Sequence, residues 1–100
     1  MISLISRIIV RSEFIEDFEE YCHHLKKRVQ EIESPPISYT IHRSEKDNCQ
    51  FIFVQLFADR DALEAHMTAA FMDEARERLR TFYVATPAVE ICQVLEETDA

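Results

Sequence analysis

The stretch that decides the fold is FIFVQLFADRDALEAH, at residues 51–66. Its first seven residues are apolar except for Gln55, and β-branched and aromatic residues of this kind favour a β-strand. Because successive side chains of a strand point to opposite faces, both faces of this strand are apolar. Asp59 is placed to cap a short helix that runs through His66. The stretch therefore predicts a buried strand that leads directly into a helix.

Apolar spacing on either side of this stretch predicts the other elements. Ser12 is the expected N-cap of a long amphipathic helix, because apolar residues recur behind it at steps of three and four. Ser34, Pro35 and Pro36 end that helix, since proline lacks an N–H and disfavours helical geometry before it. The predicted elements, in chain order, are a strand at 2–10, a helix at 12–32, strands at 37–43 and 51–57 joined by a turn at 45–48, helical stretches at 59–66 and 71–82, and a strand at 89–95.

The order βαββαβ predicts an α+β, ferredoxin-like domain: an antiparallel four-stranded sheet with the helices on one face. We expect one domain over residues 1–100, with an acidic tail at 96–100. The predicted strands are apolar on both faces, although the helices can cover only one. A second copy, packed sheet against sheet around a two-fold axis, would cover the other. The alternative is that these residues only reflect β-propensity. The sequence thus predicts a homodimer.

Composition excludes several classes of protein. The chain has 100 residues, no glycine and a net charge of −8. Without glycine, neither the GxGxxG dinucleotide turn nor the P-loop can form, and the negative charge disfavours nucleic acid or an anionic membrane surface as partner. No run approaches the roughly 18 apolar residues of a membrane span, and no secretory leader is recognisable. Three cysteines without CxxC spacing indicate reduced thiols. We expect a cytoplasmic protein.

The run at 53–66, with its ALEAH helix start at 62–66, follows the segment SYTI at 38–41 and precedes Phe71. In this combination the chain resembles the antibiotic biosynthesis monooxygenase family over nearly its whole length. It departs from the family at Gln55, where glutamate is frequent, and at Phe57, where tryptophan is frequent. Arg11-Ser12 and Pro35-Pro36 also replace turns that usually contain glycine.

This resemblance implies a dimeric α/β barrel that oxidises a small phenolic or hydroquinone-type aromatic substrate with O₂, without metal, flavin or other cofactor. A base would remove the substrate proton, and the resulting anion would itself donate electrons to O₂. An imidazole titrates near neutrality, so His66 is the candidate base. Gln55 would hydrogen-bond a substrate oxygen. The candidate walls of the substrate pocket are Phe53, Phe57, Phe71 and Phe82.

Each candidate has a structural alternative. A single histidine near a helix end is often a cap or a satisfied core group, and phenylalanines at this spacing are first of all core residues. The arginines Arg76, Arg78 and Arg80 could bind an anionic substrate, but pairing with neighbouring glutamates is the stronger interpretation. Adjacent His23 and His24 cannot chelate one metal together on a helix. A non-catalytic ligand-binding or regulatory barrel, or an isomerase or lyase on the same fold, stays open.

Overall fold

The structure is a computed structural model that describes residues 1–32 and 35–95. The predicted acidic tail and Ser34 lie outside these residues. The elements, in chain order, are β1 (Ile2–Ile9), a 3₁₀ turn (Ser12–Phe14), α1 (Ile15–Gln30), β2 (Ser38–Arg43), β3 (Gln50–Phe57), α2 (Arg60–Thr68), α3 (Ala70–Arg80) and β4 (Ala88–Gln93).

The four strands form one antiparallel sheet in the order β2-β3-β1-β4. This order and the helices on one face of the sheet confirm the predicted ferredoxin-like α+β fold. The register aligns rows of side chains across the sheet. One row joins Tyr39, Gln55, Leu4 and Ile91 on the helix-covered face. A residue in such a row shares its face with its partners on the neighbouring strands.

The main core lies between the sheet and helices α1 and α3. On α1, Phe18, Cys22, Leu25 and Val29 recur at steps of four and three, and all are buried. Their spacing places them on one stripe of the helix, which packs on the sheet. Leu4, Phe57 and Leu63 form a second, smaller buried cluster beneath α2. The long apolar stripe and the strand at 51–57 therefore occupy the positions that their patterns predict.

Of the two predicted helix N-caps, Asp59 is found in the structure and Ser12 is not. Asp59 caps α2 as predicted, with its Oδ1 accepting a hydrogen bond of 2.8 Å from the backbone N–H of Ala62. The prediction that Ser12 caps α1 is wrong, because Ser12 lies in the preceding 3₁₀ turn and α1 begins at Ile15 with Phe14 at the N-cap. The apolar spacing that indicated a helix does not distinguish an α-helical first turn from a 3₁₀ turn.

The open face of the sheet, which carries no helix, is apolar at its centre and charged toward β4. Ile52, Val54 and Leu56 of β3 lie on this face and are half-buried. Arg7 of β1 and Glu90 of β4 share the face and are exposed. The prediction that both faces of the strands are apolar is therefore interrupted on the open face at Arg7 and Glu90. The apolar residues Val89 and Ile91 of β4 lie on the helix-covered face.

The β2–β3 turn is built without glycine. Ser44 Oγ accepts hydrogen bonds from the backbone N–H groups of Lys46 and Asp47, and Asp47 Oδ1 accepts one of 2.9 Å from the backbone N–H of Cys49. Side chains thus supply the turn geometry. Within residues 1–32 and 35–95, every residue has a negative φ. Across the same residues, no helix is long and apolar enough to span a membrane.

Candidate active site

A cavity of about 580 Å³ lies between the sheet and helices α1 and α3. Its size is within the range of about 300–1,000 Å³ that is typical of small-molecule sites. Strands β1–β3 supply its floor, α1 and α3 supply its sides, and the segment 83–87 borders one end. The residues that line its floor are Leu4, Ser6, Ile8, Tyr39, Phe53 and Gln55.

Two buried side-chain atoms that belong to residues lining this cavity have no hydrogen-bond partner. They are Nδ1 of His66, from the last turn of α2, and Oε1 of Gln55, from β3. His66 is 2% exposed and Gln55 is 5% exposed. Leaving a buried polar atom unpaired costs about 1–3 kcal/mol, so two such atoms in residues that line one cavity mark it as a candidate site. Gln55 and His66, the two polar site residues predicted from the sequence, therefore line the same cavity.

Burial and a neighbouring cation keep His66 neutral. Burial lowers the pKa of His66 below its usual 6.5, and the positive charge of Arg76 lowers the pKa further. Both effects disfavour the imidazolium form, since burial penalises a charge and a nearby like charge repels it. A neutral imidazole with a free ring nitrogen can accept a proton from a ligand at neutral pH.

Arg76 of α3 links the cavity to the end of α2. Its Nη2 donates a hydrogen bond to the carbonyl oxygen of Met67, and its Nη1 lies 3.1 Å from Oδ1 of Asp73. The last carbonyls of a helix have no partner within the helix, so this contact satisfies one of them. Arg76 also lines the cavity. The guanidinium thus brings a positive charge beside the His66 imidazole.

The four candidate phenylalanines are distributed between the cavity and the core. Phe53 lines the cavity. Phe57 is fully buried behind His66, with the two ring centroids 5.3 Å apart. Phe82 packs in the core against Phe14 and Phe18, and half-buried Phe71 packs on the same core. The structure therefore brings Phe53 to the cavity and places the other three outside its lining.

Sequence reasoning did not select Tyr39 and Tyr83, whose side chains line the cavity. Burial is the main cause that raises the pKa of both, to about 12 for Tyr83, so both phenols stay neutral and can donate hydrogen bonds. The alternation of apolar and polar residues at 37–43 indicates which face of the strand carries Tyr39. It does not indicate that a cavity lies on that face. Arg76 was grouped with Arg78, but Arg78 instead lies over the rings of Tyr21 and Phe82.

A second, smaller cavity of about 230 Å³ lies between α1 and β2. Cys22 and His23 line it, and an ion pair of Glu19 with Arg43 lies at its border. The buried unpartnered side-chain atoms found in the described part of the chain belong to Gln55 and His66, which border the larger cavity instead. Within the described residues, no group of three or more His, Cys, Asp or Glu side chains could hold a metal ion. The larger cavity is therefore the stronger candidate for an active site.

The chain is a small α+β protein with a ferredoxin-like sheet and a cavity, lined by His66 and Gln55, beneath its helices. Comparison with known proteins identifies the family. The model of the antibiotic biosynthesis monooxygenase family matches residues 1–80. The chain therefore belongs to this family, as the sequence resemblance predicts. None of the curated proteins compared with the chain matches it significantly.

Several solved structures share the fold of this chain. An antibiotic biosynthesis monooxygenase is 17% identical with a TM-score of 0.85, covering 96% of this chain and 100% of that one. Rv0793 from Mycobacterium tuberculosis is 15% identical with a TM-score of 0.86, covering 98% of each chain. A mutant form of SnoaB from Streptomyces nogalater, a cofactor-independent oxygenase, is 12% identical with a TM-score of 0.87, covering 99% of this chain and 97% of that one. At these identities the likeness is one of fold.

Proposed function

We propose that this protein is a cofactor-independent monooxygenase that oxidises a small phenolic or hydroquinone-type aromatic substrate with O₂, with His66 as the base. The observation that carries the proposal is that His66 and Gln55, each with a buried side-chain atom that has no hydrogen-bond partner, line the same cavity. Membership of the monooxygenase family supports the reaction class. The family resemblance supports a reaction without a cofactor, and SnoaB, which shares the fold, is a cofactor-independent oxygenase.

The proposed reaction begins with proton transfer from a substrate hydroxyl to the neutral imidazole of His66. The substrate anion is electron-rich and reduces O₂, and one oxygen atom then bonds to a ring carbon while the other leaves as water. For a hydroquinone the balance is one hydroquinone and one O₂ giving one hydroxyquinone and one water. The protein supplies a base, orientation and stabilisation of the anion, each of which lowers the barrier.

Several side chains have distinct roles in this proposal. The side-chain amide of Gln55 forms a hydrogen bond with a second substrate hydroxyl, and the ring of Phe53 forms a flat wall for the aromatic substrate. The positive charge of Arg76 stabilises the substrate anion. Phe57, behind His66, is a positioning residue, because its ring packs against the imidazole and restricts the directions in which Nδ1 can point.

Oxygen consumption and isotope incorporation test this function directly. Purified protein is incubated with a panel of hydroquinones under ¹⁸O₂, and both oxygen uptake and the mass of the quinone product are measured. We expect one ¹⁸O atom per product, and loss of at least 100-fold of the rate in His66→Gln, since general-base catalysis contributes about 10²–10⁴-fold. The exposed His24 is the matched control, and His24→Gln should keep the rate.

Other outcomes would favour different functions. Oxygen uptake without ¹⁸O in the product would identify an oxidase. Turnover without oxygen uptake would support an isomerase or lyase that uses the same base, and binding without turnover would support a regulatory or ligand-binding barrel. Full activity in His66→Gln would refute the role of His66.

We also infer that two copies form a homodimer in the cytoplasm through the open face of the sheet. The central side chains Ile52, Val54 and Leu56 give this face an apolar centre, and a two-fold axis would pair it with itself. Arg7 and Glu90 carry opposite charges on the same face, so that Arg7 of one copy can meet Glu90 of the other. Cytoplasmic placement is supported by the reduced state expected of the three cysteines.

A further inference from the structure

The two ends of the larger cavity differ in chemistry. Gln55 pairs with Leu4 near the start of β1, and His66 packs on Phe57, which pairs with Ile2. The unpartnered polar atoms therefore lie near the start of β1. The opposite end is reached at Ile8, about 13 Å farther along the strand at about 3.3 Å per residue. A single aromatic ring is shorter than this distance.

The far end is held in place by the segment that follows α3. The backbone N–H of Val84 donates a hydrogen bond of 2.9 Å to the carbonyl oxygen of Ile9, and Tyr83 forms a bridge with Val10. The side chains around this end are mostly apolar, and they include Ile8, Val84 and Pro87. The end of the cavity remote from His66 is thus a fixed and largely apolar surface.

From the middle of β1 to this end, the rim exposes apolar side chains to solvent, with Val89 beside Ser6 and Val84 beside Ile9. Val84 is 57% exposed and Val89 is 58% exposed, and both line the cavity. Arg80 also borders the rim, but its guanidinium pairs with Glu77 and is largely exposed, so its charge is directed to solvent. Exposed valines beside a cavity are a favourable surface for an apolar group, because covering them removes apolar area from water.

We propose that the substrate carries an apolar substituent, with its oxygenated ring at His66 and Gln55 and the substituent extending along Ser6 and Ile8, past Val89, to the rim at Val84. This assignment rests on the proposed function for the identity of the ring, and it adds the class of substrate: an alkyl-substituted phenol or hydroquinone. Val84 and Val89 are then specificity-determining residues. Each buried methylene should tighten binding about fourfold.

Binding of alkylphenols in the absence of O₂ tests the proposal separately from the reaction. The dissociation constants of phenol, 4-methylphenol, 4-propylphenol and 4-pentylphenol are measured by calorimetry on the full chain. The wild type should bind each longer analogue more tightly, by about fourfold per added methylene until the substituent reaches solvent. In Val89→Asp the gain for 4-pentylphenol over 4-methylphenol should fall at least fivefold.

Ile37 provides the matched control, because it is also 58% exposed but does not line the cavity. Ile37→Asp should keep the wild-type dependence on chain length. Affinity that stays flat or falls with chain length in the wild type would overturn the proposal, as would an unchanged dependence in Val89→Asp. Oxygen uptake with the matching alkylhydroquinones reports on the monooxygenase function alone, so chain-length-dependent binding without oxygen uptake would refute that function and support the cavity assignment.

Discussion

Replacement of His66 by leucine should stabilise the protein while it abolishes catalysis. The unpartnered Nδ1 costs the folded state about 1–3 kcal/mol, and an apolar side chain of similar size removes this cost. The same substitution loses the ring contact with Phe57, which contributes about 0.5–1.5 kcal/mol. The difference is a gain of about 1 kcal/mol in the free energy of unfolding. For a domain of this size that gain raises Tm by about 4–8 °C.

The pH dependence of this gain gives a second measurement on the same variant. Because the pKa of His66 is lower in the folded protein than the 6.5 of an unperturbed histidine, the unfolded chain binds the proton more readily. The stability of the wild type therefore falls as the pH drops from 6.5 toward the folded-state pKa. The leucine variant lacks this group, so its advantage in Tm should widen over that interval.

Thermal unfolding at one fixed protein concentration, between about pH 7.5 and 5.5, measures both effects. His24→Leu is the control at an exposed histidine, with an expected change within about 0.5 kcal/mol. A His66→Leu variant that melts below the wild type at neutral pH would show that the imidazole is a satisfied structural group. A difference in Tm that stays constant below pH 6.5 would show that His66 does not titrate as its surroundings indicate.

Three further substitutions test other parts of the structure. Arg76→Gln should move the acid limb of the pH profile of kcat/KM to higher pH, because loss of the cation raises the pKa of His66. Arg78→Gln is the control and should leave the acid limb in place, because the guanidinium of Arg78 lies over the rings of Tyr21 and Phe82. Asp59→Ala should lower the free energy of unfolding by about 1 kcal/mol, measured by urea titration, through loss of the α2 cap; an unchanged midpoint would contradict that role. Val54→Asp should convert a dimer to monomers in sedimentation equilibrium, and a wild type that is monomeric at micromolar concentration would refute the interface.

The sequence predicted the fold because its strongest signals are local. The apolar strand at 51–57 and the acidic cap at Asp59 depend on side-chain alternation and a single hydrogen bond, and both are realised. Element ends were less accurate at Ser12, where a 3₁₀ turn takes the place of the first helical turn. The face assignment of β4 also required its register with β1, which periodicity alone does not provide.

The candidate site was only partly predictable. His66 and Gln55 were found because the family resemblance singles out the strand and helix that carry them. Phe53 and Phe82 have the same apolar character in sequence, yet one lines the cavity and the other fills the core, and only tertiary packing separates them. Arg76 gave no distinct signal, because a charged residue beside acidic neighbours on a helix has the pattern of a solvent-exposed face.

The glycine-free turns have a consequence for engineering the substrate range. Since no described residue requires a left-handed backbone, side chains throughout these segments can be exchanged without the steric penalty that attends replacement of an obligatory glycine. The exposed segment at 84–86, which borders the cavity, can therefore be randomised with any residue other than proline while the backbone hydrogen bond from residue 84 to β1 is retained. Selection from such a library for growth on differently substituted phenols would vary the pocket while the sheet beneath it stays the same.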